Sequence, residues 1–252
     1  MSMTRILLVE DEPDIVLGLQ EDLRRQGYET GVARVPIVPA AAIFDLSLGS
    51  PSARPDAASG YRACRQASSE AVTQGTVGAG TGATVAKMAG PERIMKGGLG
   101  SASTLLSDGT LIGAIVVVNA LGDIVDPQAQ QVVAGAQSPG GPVSPAGSPF
   151  GGNTTLAVVA TSAALSKEQV NKVAQMAHNG LAQAIQPAHT MFDGDIVFSL
   201  ALGPSSQVMH DPAMAAIRVS TIGAAAATTL ARAIVKAVRL ATTLHGIPAV
   251  PS

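Results

Sequence analysis

Residues 151–161 join a loop rich in Gly and Pro to an apolar strand whose first two residues carry hydroxyl groups. The run is GGNTTLAVVAT, with Asn153 directly before Thr154 and Thr155. A hydroxyl at Thr154 can attack the preceding carbonyl in an N-to-O acyl shift, and glycines on the acyl side allow the strained backbone that this step needs. The pattern therefore predicts self-cleavage between Asn153 and Thr154. The alternative is an ordinary boundary between a loop and a strand, where turn residues are common.

Cleavage at this bond would give Thr154 two chemical functions. Its new α-amine would have an unperturbed pKa of about 7.7 to 8.0, which suits a base near neutral pH. Its hydroxyl would be the nucleophile, so that base and nucleophile belong to one residue. This chemistry requires neither a metal nor a cofactor, and we expect none.

Two carboxylates, Asp193 and Asp195, flank Gly194 immediately before a predicted strand. Their spacing brings both to one strand end, where each carboxylate influences the pKa of the other. The pair could orient the amine of Thr154 and relay a proton. The alternative is an Asp-Gly turn with no catalytic role.

Other reactive residue types give weaker signals. His189 invites a Ser-His-Asp interpretation, but the sequence has no G-x-S-x-G elbow, and a structural role is expected. Cys64 is the only cysteine, and its place on a predicted helix favours a small buried side chain. The remaining histidines, His178, His210 and His245, lack the spacing of metal ligands.

The glycines at Gly78 and Gly80, with Ala83, match a dinucleotide-binding pattern only loosely. A predicted strand does not precede them, and the lysine and hydroxyl residue that end a phosphate-binding loop are missing. Close packing of the backbone explains these glycines better than a bound phosphate.

Periodic segments indicate the elements that must position these residues. β-branched runs predict strands, and a Ser or Asp before an apolar periodic segment predicts a helix start. The predicted elements are strands at 112–118 (ending in Asn119), 155–161 and 196–200, a helix capped by Ser166 and Gln169, and a helix from Asp211 to about Leu244.

The composition limits the classes of function. Hydrophobic residues make up 46% of the 252 residues but aromatic residues only 2%, so small aliphatic side chains must build the core, which favours layered α/β folds. The net charge of −2 gives no footprint for nucleic acid, and the apolar runs at 111–121 and 222–230 are too short to span a bilayer. We therefore expect a cytoplasmic protein with neither nucleic acid nor membrane as partner.

The first 33 residues differ in character from the rest. A buried-strand run at 5–9 leads into the acidic pair Glu10 and Asp11 and then an amphipathic segment. This segment resembles the start of a response-regulator receiver domain, in which such a pair binds magnesium. A receiver also needs a phosphoacceptor, and Asp45 imitates one. One alternative function is therefore a degenerate receiver that uses Asp45.

From about residue 35 to 250 the chain resembles the DmpA-type aminopeptidases, a family that includes β-peptidyl aminopeptidases and nylon-oligomer hydrolases. The resemblance rests on several blocks in the same order. The blocks are VPIVPAAAIFDL at 35–46, GAGTGATVAKM at 78–88, KGGLGSAS at 96–103, NALGD at 119–123, GNTTLAVVAT at 152–161 and HTMFDGDIVFSLA at 189–201.

The resemblance implies an αββα sandwich, truncated at its N-terminus and preceded by the receiver-like βα fragment. It divides the chain into a fragment at 1–33 and a hydrolase domain at 34–252, which self-cleavage would split into an α part at 34–153 and a β part at 154–252. The positions that match the family's functional residues are Asn153 and Thr154 at the cleaved bond, Thr154 as nucleophile, Asn119 as oxyanion donor, Asp193 and Asp195 as the acidic pair, and Lys87 as a lysine near the site.

The activity that the resemblance implies is hydrolysis of N-terminal amide or peptide bonds in small peptides or amides. It also implies a homo-oligomer of αβ units. A further alternative is a catalytically inactive assembly subunit, because the N-terminal region of the family has no counterpart here.

Overall fold

The structure, a computed structural model, describes residues 5–8, 21–22, 25, 29–32, 39–46, 48–135 and 152–251. The chain divides into two compact units, residues 1–41 and 42–252. The domain boundary predicted after residue 33 lies outside the described residues and stays a prediction.

The first unit contains strands β1 (Arg5–Leu8) and β2 (Glu29–Val32), which pair in parallel. Two parallel strands need a crossover connection between them. The strand-then-helix order predicted for this segment would supply one. Glu10 and Asp11 lie outside the described residues.

The second unit carries the predicted hydrolase motifs from residue 78 onwards. Its strands are β3 (Thr84–Val85), β4 (Met95–Lys96), β5 (Gly98–Leu105), β6 (Leu111–Asn119), β7 (Asp123–Asp126), β8 (Gln131–Ala134), β9 (Thr154–Thr161), β10 (Ile185–Gln186) and β11 (Ile196–Ala201). Its helices are α1 (Ala57–Gln66), α2 (Lys167–Ala184) and α3 (Pro212–Arg239). The apolar run that leads to Asp45 suggests a strand, but residues 42–45 are in neither a strand nor a helix.

The central sheet has the strand order β11-β9-β6-β5. Strand β6 is antiparallel to both β5 and β9, whereas β11 is parallel to β9. Along β9 the side chains alternate between fully and partly buried positions, the period-2 pattern of a strand with one core face. Helices α2 and α3 pack against each other; α2 contacts β11, while α3 contacts β5 and β6. A smaller sheet has the order β10-β7-β8, and β3 pairs with β4.

Capping side chains fix where the two core helices begin. Ser166 and Gln169 form the predicted capping box at the start of α2, and Asp211 accepts a hydrogen bond from Met214 N at the start of α3. Helix α3 ends at Arg239, earlier than the predicted Leu244.

Helix α1 corrects the expectation for Cys64. The residue lies on a helix, as predicted, but its side chain is exposed. None of the residues of α1 is buried, so a place on a helix does not by itself bring a cysteine into a core.

Close approach of the backbone explains Gly80 and Gly100 but not Gly78, where a Cβ would meet nothing within 4 Å and the backbone has φ 53°. A Cβ on Gly80 would lie 2.4 Å from Leu99 N, and one on Gly100 would lie 2.1 Å from Ala233 O. Both distances are too short for any side chain, so Gly100 lets α3 pack directly on β5. The predicted packing role of Gly80 is therefore confirmed.

Helix α3 is, among the described residues, the one helix long and apolar enough to cross a membrane by length and composition. Of its most apolar window, 44% is buried inside the protein, and core helices of soluble proteins pass the same test.

Candidate active site

The predicted cleavage junction lies at the start of β9. Thr154 is the first residue of this strand and pairs with Asn119, the last residue of β6. The Thr154 hydroxyl donates to its own preceding carbonyl, with Oγ1 2.7 Å from Asn153 O. Gly194 N–H donates to the same oxygen at 2.8 Å. The peptide bond before Thr154 therefore has a hydroxyl against it and a backbone donor on its oxygen.

The segment Asp193–Asp195 follows the junction closely. Asn153 and Asp193 form a parallel bridge, and Thr155 N–H donates to Asp195 Oδ1 at 2.8 Å. Gly194 lies so close that a Cβ there would be 3.0 Å from Thr154 Oγ1. The segment that carries both acids thus lies against the segment predicted to be cut.

The two carboxylates have different surroundings. Asp193 Oδ2 accepts hydrogen bonds from Thr190 N at 2.8 Å and Thr190 Oγ1 at 2.7 Å, as in a turn that an Asp side chain closes. The side chain of Asp195 is only 4% exposed. Burial raises its pKa and the charge of Asp193 adds to this, whereas Thr155 N–H and His189 lower it. Asp193 therefore shapes the turn, and Asp195 is the buried acid.

Lys87 approaches the junction from its acyl side. Its Nζ donates to Gly152 O at 2.8 Å, Asn119 Oδ1 at 2.9 Å and Asn153 Oδ1 at 3.1 Å. Burial lowers the pKa of Lys87 to about 7, although the charge of Asp193 raises it. A lysine with this pKa is partly neutral at physiological pH, so it can exchange a proton there.

The hydrogen bonds of Asn119 fix the orientation of its amide. Its Oδ1 accepts from Thr84 N at 3.1 Å and from Lys87, so Nδ2 is directed at Gly152 O, 3.1 Å away. This amide donor therefore contacts the carbonyl one residue before the bond predicted to be cut. Its role as oxyanion donor stays a prediction.

The structure adds three groups that sequence reasoning did not assign to the site. They are Gly194 N–H on Asn153 O, Phe192 O, which accepts from Asn153 Nδ2 at 3.4 Å, and the imidazole of His189 beside Asp195. Two of these are backbone groups, which every residue type has, so the sequence cannot single them out. The signal for His189 was its distance of six residues from Asp195.

Solved structures place this architecture in a known class. A β-aminopeptidase from a Burkholderia species superposes with a TM-score of 0.58 at 21% sequence identity, covering 94% of this chain and 66% of that one. An L-aminopeptidase D-Ala-esterase/amidase from Ochrobactrum anthropi, described as a prototype of the serine aminopeptidases with a variant of the Ntn hydrolase fold, superposes with a TM-score of 0.54 at 22% identity over 73% of this chain and 49% of that one. The DmpA-like fold is thereby confirmed.

The chain belongs to peptidase family S58, whose sequence model matches residues 13–250. An uncharacterized aminopeptidase of Mycobacterium bovis is 40% identical over 254 residues, which cover 91% of this chain and 70% of the relative. A 6-aminohexanoate-oligomer endohydrolase of Paenarthrobacter ureafaciens is 33% identical over 199 residues, covering 71% of this chain and 53% of the relative. The chain thus spans less than two thirds of that hydrolase and of both solved relatives.

The family match extends further towards the N-terminus than the predicted resemblance. It begins at residue 13 and includes Asp45, so the comparisons do not support the receiver alternative. The resemblance to the DmpA-type family, by contrast, is confirmed.

Proposed function

We propose that this chain is a self-processing N-terminal nucleophile hydrolase of the threonine type, which removes N-terminal residues from small peptides or amides. The observation that carries the proposal is the Thr154 hydroxyl, 2.7 Å from the oxygen of the peptide bond that precedes it. Membership of peptidase family S58 supports hydrolysis of amide bonds.

Self-cleavage proceeds in two steps. Thr154 Oγ1 attacks the carbonyl carbon of Asn153, the C–N bond breaks, and the proton of the hydroxyl passes to the departing amine, which leaves an ester. Negative charge develops on Asn153 O in the attack, and Gly194 N–H already donates to this atom. Water then hydrolyses the ester, which frees the Asn153 carboxylate and the Thr154 amine.

Turnover of a substrate uses the same atoms. The free amine of Thr154 takes the proton of its own hydroxyl as that oxygen attacks the substrate carbonyl. Asn119 Nδ2 and Gly194 N–H each donate to a carbonyl oxygen at the junction and can hold the oxyanion, while Asp195 stays on the N–H of Thr155, the residue after the nucleophile. The leaving amine departs, and water releases the acyl group.

The two cleavage products must stay together for this site to be complete. Lys87 and Asn119 lie in the α part, whereas Thr154, Gly194 and Asp195 lie in the β part. Strands β6 and β9 hydrogen-bond along eight residue pairs from Ile112↔Thr161 to Asn119↔Thr154, which join the two parts after the cut. The product is an αβ unit, and homo-oligomers of such units and a cytoplasmic location complete the proposal.

The adjacent threonines provide a matched test. Intact mass and N-terminal sequencing of the purified protein should show a β part that starts at Thr154. Thr154→Val should remain uncut, whereas Thr155→Val should be cut as the wild type is, because Thr155 Oγ1 is buried without a hydrogen-bond partner among the described residues. An uncut wild type after long incubation, or a cut Thr154→Val, would overturn the proposal.

A further inference from the structure

The imidazole of His189 lies beside the buried acid of the proposed site. His189 Nδ1 is 3.3 Å from Asp195 Oδ2, and His189 Nε2 is 3.4 Å from the backbone oxygen of His178. The backbone of His189 has φ 57°, in the left-handed region, which costs an L residue roughly 1–2 kcal/mol. The chain therefore adopts an unfavourable conformation at the residue that contacts Asp195.

Its two neighbours determine which protons the imidazole carries. A backbone carbonyl can only accept a hydrogen bond, so Nε2 must carry a proton. The other nitrogen lies 3.3 Å from a carboxyl oxygen, and a proton between the two atoms makes this contact favourable: either Nδ1–H donates to a carboxylate, or a carboxylic acid donates to Nδ1. In both forms the two residues together hold one shared proton and have no net charge.

The other oxygen of Asp195 connects this pair to the junction. Oδ1 accepts from Thr155 N–H, the residue directly after the proposed nucleophile. His189 and Thr155 therefore contact the carboxyl group at its two oxygens, and a hydrogen bond from the His189 backbone also acts on it. Without the imidazole, the carboxyl loses the contact at Oδ2 that limits its rotation away from Thr155 N–H.

We propose that His189 is a positioning residue that shares one proton with Asp195 and so keeps this carboxyl on the backbone of Thr155. The inference rests on the proposed function, since it concerns the site where Thr154 reacts. It assigns His189 a role that the catalytic steps above do not include.

The charged and titratable neighbours of the pair are few among the described residues. His178, on α2, has its ring centroid 5.2 Å from that of His189. Burial lowers the pKa of His178, and the charge of His189 adds to this, so a neutral His178 leaves His189 as the partner of the acid. Asp193 is the second acid beside Asp195, and its charge also acts on Lys87.

A spectroscopic test does not depend on cleavage. In the uncut Thr154→Val protein, imidazole ¹⁵N spectra should show His189 protonated at Nε2. Asp195→Asn in this background should move both nitrogen signals of His189 and leave those of His245 in place. Unchanged His189 signals would overturn the proposal even if the protein cleaves itself normally, and a protein that never cleaves still allows this measurement.

A pair of substitutions then tests the effect on the reaction. Asn adopts the left-handed region readily and offers an amide N–H where His189 has Nδ1, but it does not titrate. His189→Ala should slow cleavage about tenfold to a hundredfold, the usual effect of losing a hydrogen bond to a charged group. His189→Asn should recover most of the rate near neutral pH and change the pH profile of cleavage, because Asp195 loses the imidazole as its partner.

His245 supplies the control, because it is an exposed histidine at φ 50° outside the site. His245→Asn should leave both the rate and the pH profile unchanged. If His189→Ala and His189→Asn cut equally fast with the wild-type pH profile, the role of His189 is structural only and the proposal is wrong.

Discussion

The two sides of the junction contact different atoms. On the acid side, formed by Asp193, Gly194 and Asp195, a backbone N–H binds the oxygen of the bond to be cut and a carboxyl binds the next N–H. On the lysine side, formed by Lys87 and Asn119, both side chains bind the carbonyl one residue earlier. The acid side therefore contacts the bond proposed to react and the strand that begins with the proposed nucleophile, and the lysine side holds the segment that self-cleavage would release.

Because of this difference, substitutions on the two sides should affect self-cleavage and substrate turnover differently. Loss of an acid-side group should affect both self-cleavage and turnover, because that side stays with the nucleophile. Loss of Lys87 should affect self-cleavage most, since two of its three contacts are to Gly152 and Asn153, which the cut releases.

The largest effect is expected for the acids. If the acidic pair orients the Thr154 amine as proposed, Asp195→Asn and Asp193→Asn should each lower amidase activity by orders of magnitude, because each variant loses a carboxylate of the pair. Steady-state kinetics on a small amide measures this. Asp108→Asn, in an exposed turn far along the sequence from the acids, serves as the control and should retain full activity.

The melting temperature, unlike the activity, should not fall when Asp195 is replaced by Asn. A carboxyl whose folded pKa is raised contributes stability below its unfolded pKa, near 3.8, and loses it as pH rises through the folded value. At pH 7 the buried charge is therefore a cost, and Asp195→Asn should keep or raise the melting temperature. Near-normal turnover with a large loss of melting temperature would show that the acids are only structural.

The next effect concerns the lysine side. Lys87→Met should slow self-cleavage about a hundredfold, because Gly152 O and Asn153 Oδ1 lose the donor that fixes the acyl segment. Lys96→Met is the control: Lys96 is equally buried, but its Nζ binds Thr81 O, away from the junction. If both variants cut at the same rate, Lys87 has no specific role in the reaction.

Much of this arrangement is predictable from local patterns. The capping box at Ser166 and the strand that ends at Asn119 follow from spacing alone, because those signals act within a few residues. For the acidic pair, the open alternatives were a catalytic role and an Asp-Gly turn. The structure shows that Asp193 closes a turn on Thr190 and that Asp195 accepts from Thr155 N–H, and these different neighbours could not be predicted because they come from separate segments of the chain.

Cys64 and Gly194 N–H show where such prediction fails. Burial of Cys64 depends on a partner surface, which a helical pattern cannot supply by itself. The donor on Asn153 O is a backbone group, and only the three-dimensional pairing of 153 with 193 brings it there.

A smaller effect is expected in the pH dependence of stability. Burial lowers the folded pKa of Lys87 to about 7 from 10.5, so the unfolded chain binds more protons between these values and stability rises with pH across that window. In the uncut Thr154→Val background, urea unfolding should show the stability difference relative to Lys87→Met growing by about 2 kcal/mol between pH 7 and 9. A constant difference would mean that Lys87 is not buried as a cation.

The smallest expected effect tests how tightly the acid side fits the nucleophile. A Cβ on Gly194 would lie 3.0 Å from Thr154 Oγ1, so Gly194→Ala should turn the hydroxyl from its position on Asn153 O and slow cleavage about tenfold. Gly152→Ala is the control on the lysine side, because a Cβ there meets no described atom within 4 Å and leaves the carbonyl oxygen in place. Time courses of intact mass measure both rates. The opposite result, slow cleavage in Gly152→Ala and normal cleavage in Gly194→Ala, would contradict this difference between the two sides. It would show that the reaction is limited by backbone freedom before the cut bond and not by the fit of Gly194 against the hydroxyl.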